Sequence, residues 1–200
     1  MSKIVLATRN KFKIDEIKTI LKPLNLDILT LDDFPGIPYL REDGSTFREN
    51  ALRKAREVHT FTKLPALADD SGLEVFYLNG QPGVVSARYA GEGATDELNN
   101  DKLLKEMRGV PPRRRKGQFH AVIAVVGKDF EEITEGICEG KLGESPRGTN
   151  GFGYDPLFYP DGFDRTYAEL TAEEKNRISH RAKALEKMKE VLQRRLSPAS

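Results

Sequence analysis

Short apolar runs of strand length alternate along this chain with stretches whose apolar residues recur at helical spacing. That alternation directs 200 residues towards an α/β fold, a sheet covered by helices. The length suits a single domain, 1–196, with 197–200 as a frayed tail, and it is enough to bury a real core. Lys3 to Ala7 reads as a short buried strand. A polar Thr8-Arg9-Asn10 turn leads into a helix from about Lys11 to Leu21, with Phe12, Ile14, Ile17, Ile20 and Leu21 as its apolar face. Pro23 stops it, because proline lacks the N–H that the helical ladder needs. Leu24 to Leu31 reads as a second strand. Thr46 and Glu49 have capping-box spacing and open a helix to about Thr62, striped by Phe47, Ala51, Leu52, Ala55 and Val58.

Further on, Thr95 caps a helix to about Arg108 that buries Leu98, Leu103, Leu104 and Met107. Phe119 to Gly127 and Glu132 to Leu142 are strand-like, and Gly136 and Gly140 mark the second as an edge or bent strand. Thr171 and Glu174 form another capping box. The tail helix carrying Ile178, Leu185, Met188 and Leu192 either runs on unbroken or restarts at Ser179.

Charge and cysteine content narrow the function classes. Lys plus Arg (32) nearly balances Asp plus Glu (31), a formal net charge of +1, which favours small ligands over nucleic acid. The basic run Arg113 to Lys116 has no interleaved aromatics and reads as a solvated loop. Cys138 is the only cysteine, so there is no internal disulfide and no cysteine cage for a metal. His59, His120 and His180 are well separated, which disfavours zinc. The first residues do not read as a signal peptide and no apolar run approaches ~20 residues, so a cytoplasmic protein with no membrane partner is expected.

Chemistry concentrates in a few stretches. In Ala68-Asp69-Asp70-Ser71-Gly72 two carboxylates end an apolar run, where the chain is expected to turn. Neighbouring strand side chains point to opposite faces, so Asp69 and Asp70 should do different jobs: one faces a cleft, the other braces the turn. The strand, polar turn and helix at Ala7 to Lys13 present helix N–H groups to an anion, with Lys13 in the first turn, although Thr and Asn are also ordinary N-caps. Asn50 and Lys54 lie one turn apart, off the apolar stripe, and Lys54 alone reads as a solvated charge. Glu42 is either a loop acid or a carboxylate aimed at the pocket of Asp70. In Arg147 to Phe158, small residues surround Phe152 and Tyr154, flat faces for a ring, and Asp155 can accept from ring N–H groups. The stretch is neither a dinucleotide loop nor a Walker P-loop. Lys175, His180 and Arg181 gather donors near a helix start.

In chain order, these stretches resemble the inosine triphosphate/xanthosine triphosphate pyrophosphatases, which remove abnormal purine nucleotides. The resemblance rests on Thr8-Arg9-Asn10 with Lys13, Glu42-Asp43-Gly44 with Thr46-Phe47 and Glu49-Asn50-Ala51, and Ala68 to Leu73. It continues through Pro82-Gly83 with Ser86 to Tyr89, Gly148 to Pro156, Glu169-Leu170, and Lys175 with Ile178 to Arg181. The resemblance implies an elongated mixed central sheet flanked by helices, two lobes with a nucleotide cleft between them, a homodimer and Mg²⁺ dependence. It implies that Thr8, Arg9, Asn10, Lys11, Phe12 and Lys13 hold the triphosphate, with Lys54 and Ser71 on the substrate. Asp70 would be the general base and, with Glu42 and Asp69, a metal ligand. Phe152, Gly153, Tyr154 and Asp155 would sandwich and read the base, and Lys175, His180 and Arg181 would contact base or phosphate. Asn150 stands where a glycine is more usual; asparagine tolerates positive φ, so the loop is expected to keep its shape. Two other readings are a non-catalytic nucleotide-binding module, which could dispense with Asp70, and a septum-inhibitor-type pyrophosphatase for modified pyrimidines. The latter would carry a Ser-x-x-Arg-Arg-like stretch where this chain has Thr8-Arg9-Asn10-Lys11.

Overall fold

A computed structural model describes residues 2–196; the tail expected over 197–200 lies outside the described residues. The chain runs β1 (Lys3–Leu6), α1 (Lys11–Leu21), β2 (Asp27–Thr30), α2 (Phe47–Thr62), β3 (Ala66–Val75) and α3 (Asp96–Glu106). It continues through β4 (Lys116–Gly127), β5 (Phe130–Leu142), β6 (Phe158–Pro160), α4 (Ala172–Ile178) and α5 (His180–Leu196). The described strands form a six-stranded sheet in the order β2-β1-β3-β4-β5-β6. The sheet is mixed, because β1 is parallel to β2 and β3 while β6 is antiparallel to β5.

Two compact units divide the chain, residues 2–70, 121–136 and 181–196 in the first and residues 71–120 and 137–180 in the second. β3, β4 and β5 supply residues to both. In the first unit α1 starts where Asn10 Oδ1 accepts the Lys13 N–H. The core there joins Ile17 and Leu21 of α1 to Ile4 and Leu6 of β1, Ile123 and Val125 of β4, and Leu185, Met188 and Leu192 of α5. In the second unit Leu73, Val75, Leu103, Met107, Phe119, Phe158 and Tyr167 form a separate core.

Several sequence expectations change. The acidic stretch is no turn: β3 passes unbroken through Asp69, Asp70, Ser71 and Gly72. Turn formers make turns when their oxygens accept from nearby backbone N–H groups. Here both carboxylates are instead occupied by side chains from other elements. β3 ends at Val75, and Phe76–Leu78 closes a 3-10 turn onto Asn79 at φ 53°. β2 is shorter than expected because 3-10 turns at Lys22–Leu24 and Leu31–Asp33 consume its ends. Phe12 (54% exposed) and Leu98 (53%) were both expected in apolar faces. At 3.6 residues per turn Phe12 falls opposite the buried Ile17 and Leu21 of α1, and Leu98 opposite the buried Asn100 and Leu103 of α3. β5 is no edge over Gly140–Leu142, where β6, too short to be seen as a pattern, pairs with it. The tail helix does restart: Ser179, at ψ 155°, separates α4 from α5. Asn150 is not at positive φ; its amide donates to the Leu170 carbonyl (3.0 Å), which holds the loop by hydrogen bonding instead.

Candidate active site

In the first unit, adjacent β3 residues divide the work as strand alternation requires. Asp69 is wholly buried and carries Lys13 on Oδ1 and Arg181 Nε on Oδ2 (3.0 Å). Arg181, itself only 1% exposed, also donates through Nη1 to Glu16 Oε2 at 2.5 Å. Burial alone would push the Asp69 carboxyl up, but Arg181 and Lys13 outweigh it and hold it well below the ordinary range. Asp70 faces other partners. Its Oδ2 accepts from Asn50 Nδ2 (3.1 Å) and its Oδ1 from Lys54 Nζ (3.2 Å).

Lys54 is 3% exposed rather than solvated, because the turn of α2 that carries it also carries Asn50 and faces β3. Its ammonium meets Glu42, the Asp69 carbonyl (2.7 Å) and Asp70. Glu42 is brought there by the segment before α2: the Gly44 N–H donates to Asn50 Oδ1 (2.8 Å) and the Ser45 N–H to Glu49 Oε2 (2.8 Å). The two carboxylates on Lys54 titrate in opposite directions. For Asp70, burial wins over Lys54 and Lys13 and raises the pKa; for Glu42, Lys54 overcomes burial and lowers it. A carboxylate with a raised pKa beside an ammonium is suited to taking a proton from water. Three oxygens converging on one cation (Glu42, the Asp69 carbonyl, Asp70) also form the kind of donor set a hard divalent ion takes. Among the described residues no three acid, His or Cys side chains group to cage a metal, so an ion there would share its coordination with other oxygens.

In the second unit, the loop after β5 is built around Asp155. Its Oδ2 accepts from Lys175 Nζ (2.7 Å) and from the Phe152 N–H (3.0 Å). Gly151 lies at φ +75°, and a Cβ there would come within 2.0 Å of that same oxygen. The Lys175 ammonium also sits 5.1 Å from the centre of the half-buried Phe152 ring and 5.5 Å from that of Tyr167. Tyr154, expected to offer a face to a ligand, is a core residue whose hydroxyl donates to the Ser86 carbonyl (2.8 Å). His180 is buried and stacks on Phe119, centroids 4.7 Å apart, with Tyr167 beyond at 6.4 Å.

A family model described as the Ham1 family matches residues 4–191. The chain belongs to the Ham1 family. It is 51% identical over 193 residues to a dITP/XTP pyrophosphatase of Geobacter sulfurreducens, covering 96% of this chain and 97% of that one. It is 50% identical over 194 residues to a dITP/XTP pyrophosphatase of Thermoanaerobacter pseudethanolicus, covering 97% and 98%. Among solved structures, a HAM1 protein from Coxiella burnetii superposes with a TM-score of 0.89 at 45% identity, covering 97% of this chain and all (100%) of that one. The dITP/XTP pyrophosphatase of Mycobacterium abscessus gives 0.77 at 42% identity, covering 93% and 97%.

In this Ham1-family chain, then, Lys13, Glu42, Lys54, Asp69, Asp70 and Arg181 come together in one unit, and Phe152, Gly153, Asp155 and Lys175 in the other. Arg9 turns instead to Asp32 (2.8 Å), Lys11 and Phe12 lie exposed on α1, and Thr8 Oγ1 accepts from the Asn10 N–H (3.2 Å). Ser71 follows Asp70 on β3, half-buried. Two partners were missed. Asn50 was placed on the right helical face without a role, and Glu16 was not singled out. Its signal was its spacing, three residues beyond Lys13 on α1, which puts an acid on the cation's own face.

Proposed function

We propose that this Ham1-family protein hydrolyses ITP, dITP and XTP to the monophosphate and pyrophosphate, removing abnormal purines from the nucleotide pool. The observation that carries the chemistry is Asp70, a buried carboxylate aimed by Asn50 and Lys54. Water attacks the α-phosphorus as Asp70 takes its proton, the bond to the bridging oxygen breaks, and pyrophosphate departs with the electron pair. The N-terminal end of α1 with Thr8, Arg9, Asn10, Lys11, Phe12 and Lys13 holds the triphosphate, and Ser71 and Lys54 face it. Glu42 and Asp70 are the residues that would hold Mg²⁺, which would supply charge neutralisation at the phosphates. We assign the Asp69 side chain to holding Lys13 rather than to the metal, since it is wholly buried with a cation on each oxygen, Lys13 and Arg181.

We assign the base to Phe152 as the ring face, with Asp155 and Lys175 as acceptor and donor. Gly153 and Tyr154 shape that loop, and His180 buttresses the aromatic wall it packs in. A donor facing a 6-oxo group is left unpaired by a 6-amino purine, a mismatch that can be worth ~10⁴-fold. The two units are taken as the lobes of one pyrophosphatase domain, 1–196, acting in the cytoplasm as a homodimer without nucleic-acid partners. No described helix is long and apolar enough to cross a membrane.

The test is pyrophosphate release with Mg²⁺ across ITP, dITP, XTP, GTP, ATP, CTP and UTP. Preference for the first three is expected. Turnover of modified pyrimidines instead would place the chain with the septum-inhibitor type, and binding without any turnover would make it a nucleotide-binding module.

A further inference from the structure

Helix α3 takes no part in the chemistry above, yet two of its side chains hold the loop assigned to the base. Asp96, at the first position of the helix, accepts the Gly153 N–H on Oδ2 at 2.6 Å. Asn100, one turn later on the same face, donates from Nδ2 to the Gly153 carbonyl at 2.9 Å and to the Asp96 carbonyl at 2.9 Å. Gly153 is the hinge of Phe152-Gly153-Tyr154. It lies at φ +61° with no neighbouring atom within 4 Å of where a Cβ would be, so packing does not hold its conformation. A glycine visits both signs of φ readily. The N–H belongs to the peptide before its Cα and the carbonyl to the peptide after it. With both peptide planes tied to one rigid helix, φ and ψ of Gly153 cannot change without breaking a bond.

The helix itself is well anchored. Leu103 and Met107 lie in the second core, and Asn99 ties to the preceding loop, accepting the Ala90 N–H (2.8 Å) and donating to the Ala87 carbonyl (3.1 Å). Tyr154, on the far side of the hinge, is fixed through its hydroxyl to Ser86 (2.8 Å). Phe152, on the near side, donates its N–H to Asp155 Oδ2 (3.0 Å), accepts the Asp155 N–H on its carbonyl (3.2 Å) and presents its ring to the Lys175 ammonium at 5.1 Å. The Gly153 clamp sets the angle between Phe152 and the anchored Tyr154, and so how the Phe152 ring meets Asp155 and Lys175. A hydrogen bond to a carboxylate is roughly twice as strong as one between neutral groups, which makes Asp96 the stronger half of the clamp.

We propose that Asp96 and Asn100 are positioning residues for base selectivity, acting through Gly153 on the Phe152–Asp155 loop. The inference rests on the reading of that loop as the base site. Asp96→Ala and Asp96→Asn are compared with wild type on dITP, XTP, dATP and GTP, with melting temperature and amide exchange at Gly153 followed in parallel. Asp96→Ala should cut the kcat/KM preference for dITP over dATP at least ~10-fold, through a rise in KM for dITP larger than the fall in kcat, and speed exchange at Gly153. Asp96→Asn, which keeps an acceptor oxygen, should recover most of the preference. Asn100→Leu should act in the same direction as Asp96→Ala. A wild-type preference that survives Asp96→Ala, or a loss that falls equally on every nucleotide, overturns the inference. A wild-type enzyme that turns over neither dITP nor XTP overturns the functional reading itself, and the two failures are told apart by the wild-type rates alone.

Discussion

Asp69 and Asp70 show how far one peptide bond can separate two identical side chains. One oxygen pair is committed to Lys13 and Arg181, the other to Asn50 and Lys54. Asp70→Asn keeps the size and one of the two accepting oxygens but cannot take a proton, so kcat should fall by about 10²–10⁴ while nucleotide affinity changes little. Pre-steady-state binding alongside turnover separates the two, and near-normal turnover would mean that another group is the base. Arg181→Met tests the other side. Removing one partner of a buried ion pair leaves an uncompensated charge, at a cost of about 3–5 kcal/mol, readable as a lower denaturation midpoint at unchanged m-value. Glu16 would be left in that state, while Asp69 would keep Lys13 alone.

At the scale of elements, α4 shows a complete reciprocal cap. Thr171 Oγ1 accepts the Glu174 N–H (3.2 Å), and Glu174 Oε2 accepts the Thr171 N–H (2.8 Å) while its Oε1 takes Arg165 (2.7 Å). These bonds, led by the one from Arg165, pull the half-buried Glu174 down to about 2. A carboxyl held below its unfolded value adds stability that is present above about pH 4.5 and is lost as the pH falls towards 2. The melting temperatures of wild type and Glu174→Gln should therefore differ at pH 6 and converge near pH 2, and the gap should shrink in high salt because solvent reaches both side chains of the pair.

That cap was legible as Thr171 and Glu174 three apart, as were α1 and α2, because capping and a 3.6-residue period are local. What was not legible is non-local. The Asp-Asp-Ser-Gly stretch has turn chemistry, and only partners brought from α1, α2 and α5 keep it extended. Lys54 looked like a surface cation because its acids stand 12 and 16 residues away. β6 has three residues, too few to show a period. Tyr154 was legible as a loop aromatic but not as a core residue, since its hydroxyl partner Ser86 is 68 residues distant.

Over the whole molecule the charges nearly cancel, and their placement bears on partners. In the basic run, Arg115 is buried, donating to the carbonyls of Met107, Leu142 and Gly143, and the Arg114 guanidinium lies 4.6 Å from the Tyr77 ring centre. The run is thus not wholly the solvated loop its composition suggests: Arg115 closes backbone at the end of α3, which desolvates it and lowers its pKa. With so few phosphate-facing cations, binding to single-stranded RNA should be weak at low salt and undetectable at ~0.15 M by filter retention or anisotropy; retention there would point to a nucleic-acid role.

The set formed by Lys13, Glu16, Asp69 and Arg181 has a consequence for descent. Deleting Asp69 takes the carboxylate from Lys13 and deleting Arg181 takes the cation from Glu16, whereas losing Lys13 or Glu16 still leaves Asp69 and Arg181 paired with each other. The two central positions are therefore the costly ones to change first, at about 3–5 kcal/mol against the ~5–15 kcal/mol by which domains are stable. A variant library that samples the four one at a time should find the outer pair tolerant and the inner pair resistant, so a lineage can alter Lys13 or Glu16 without first gaining stability elsewhere.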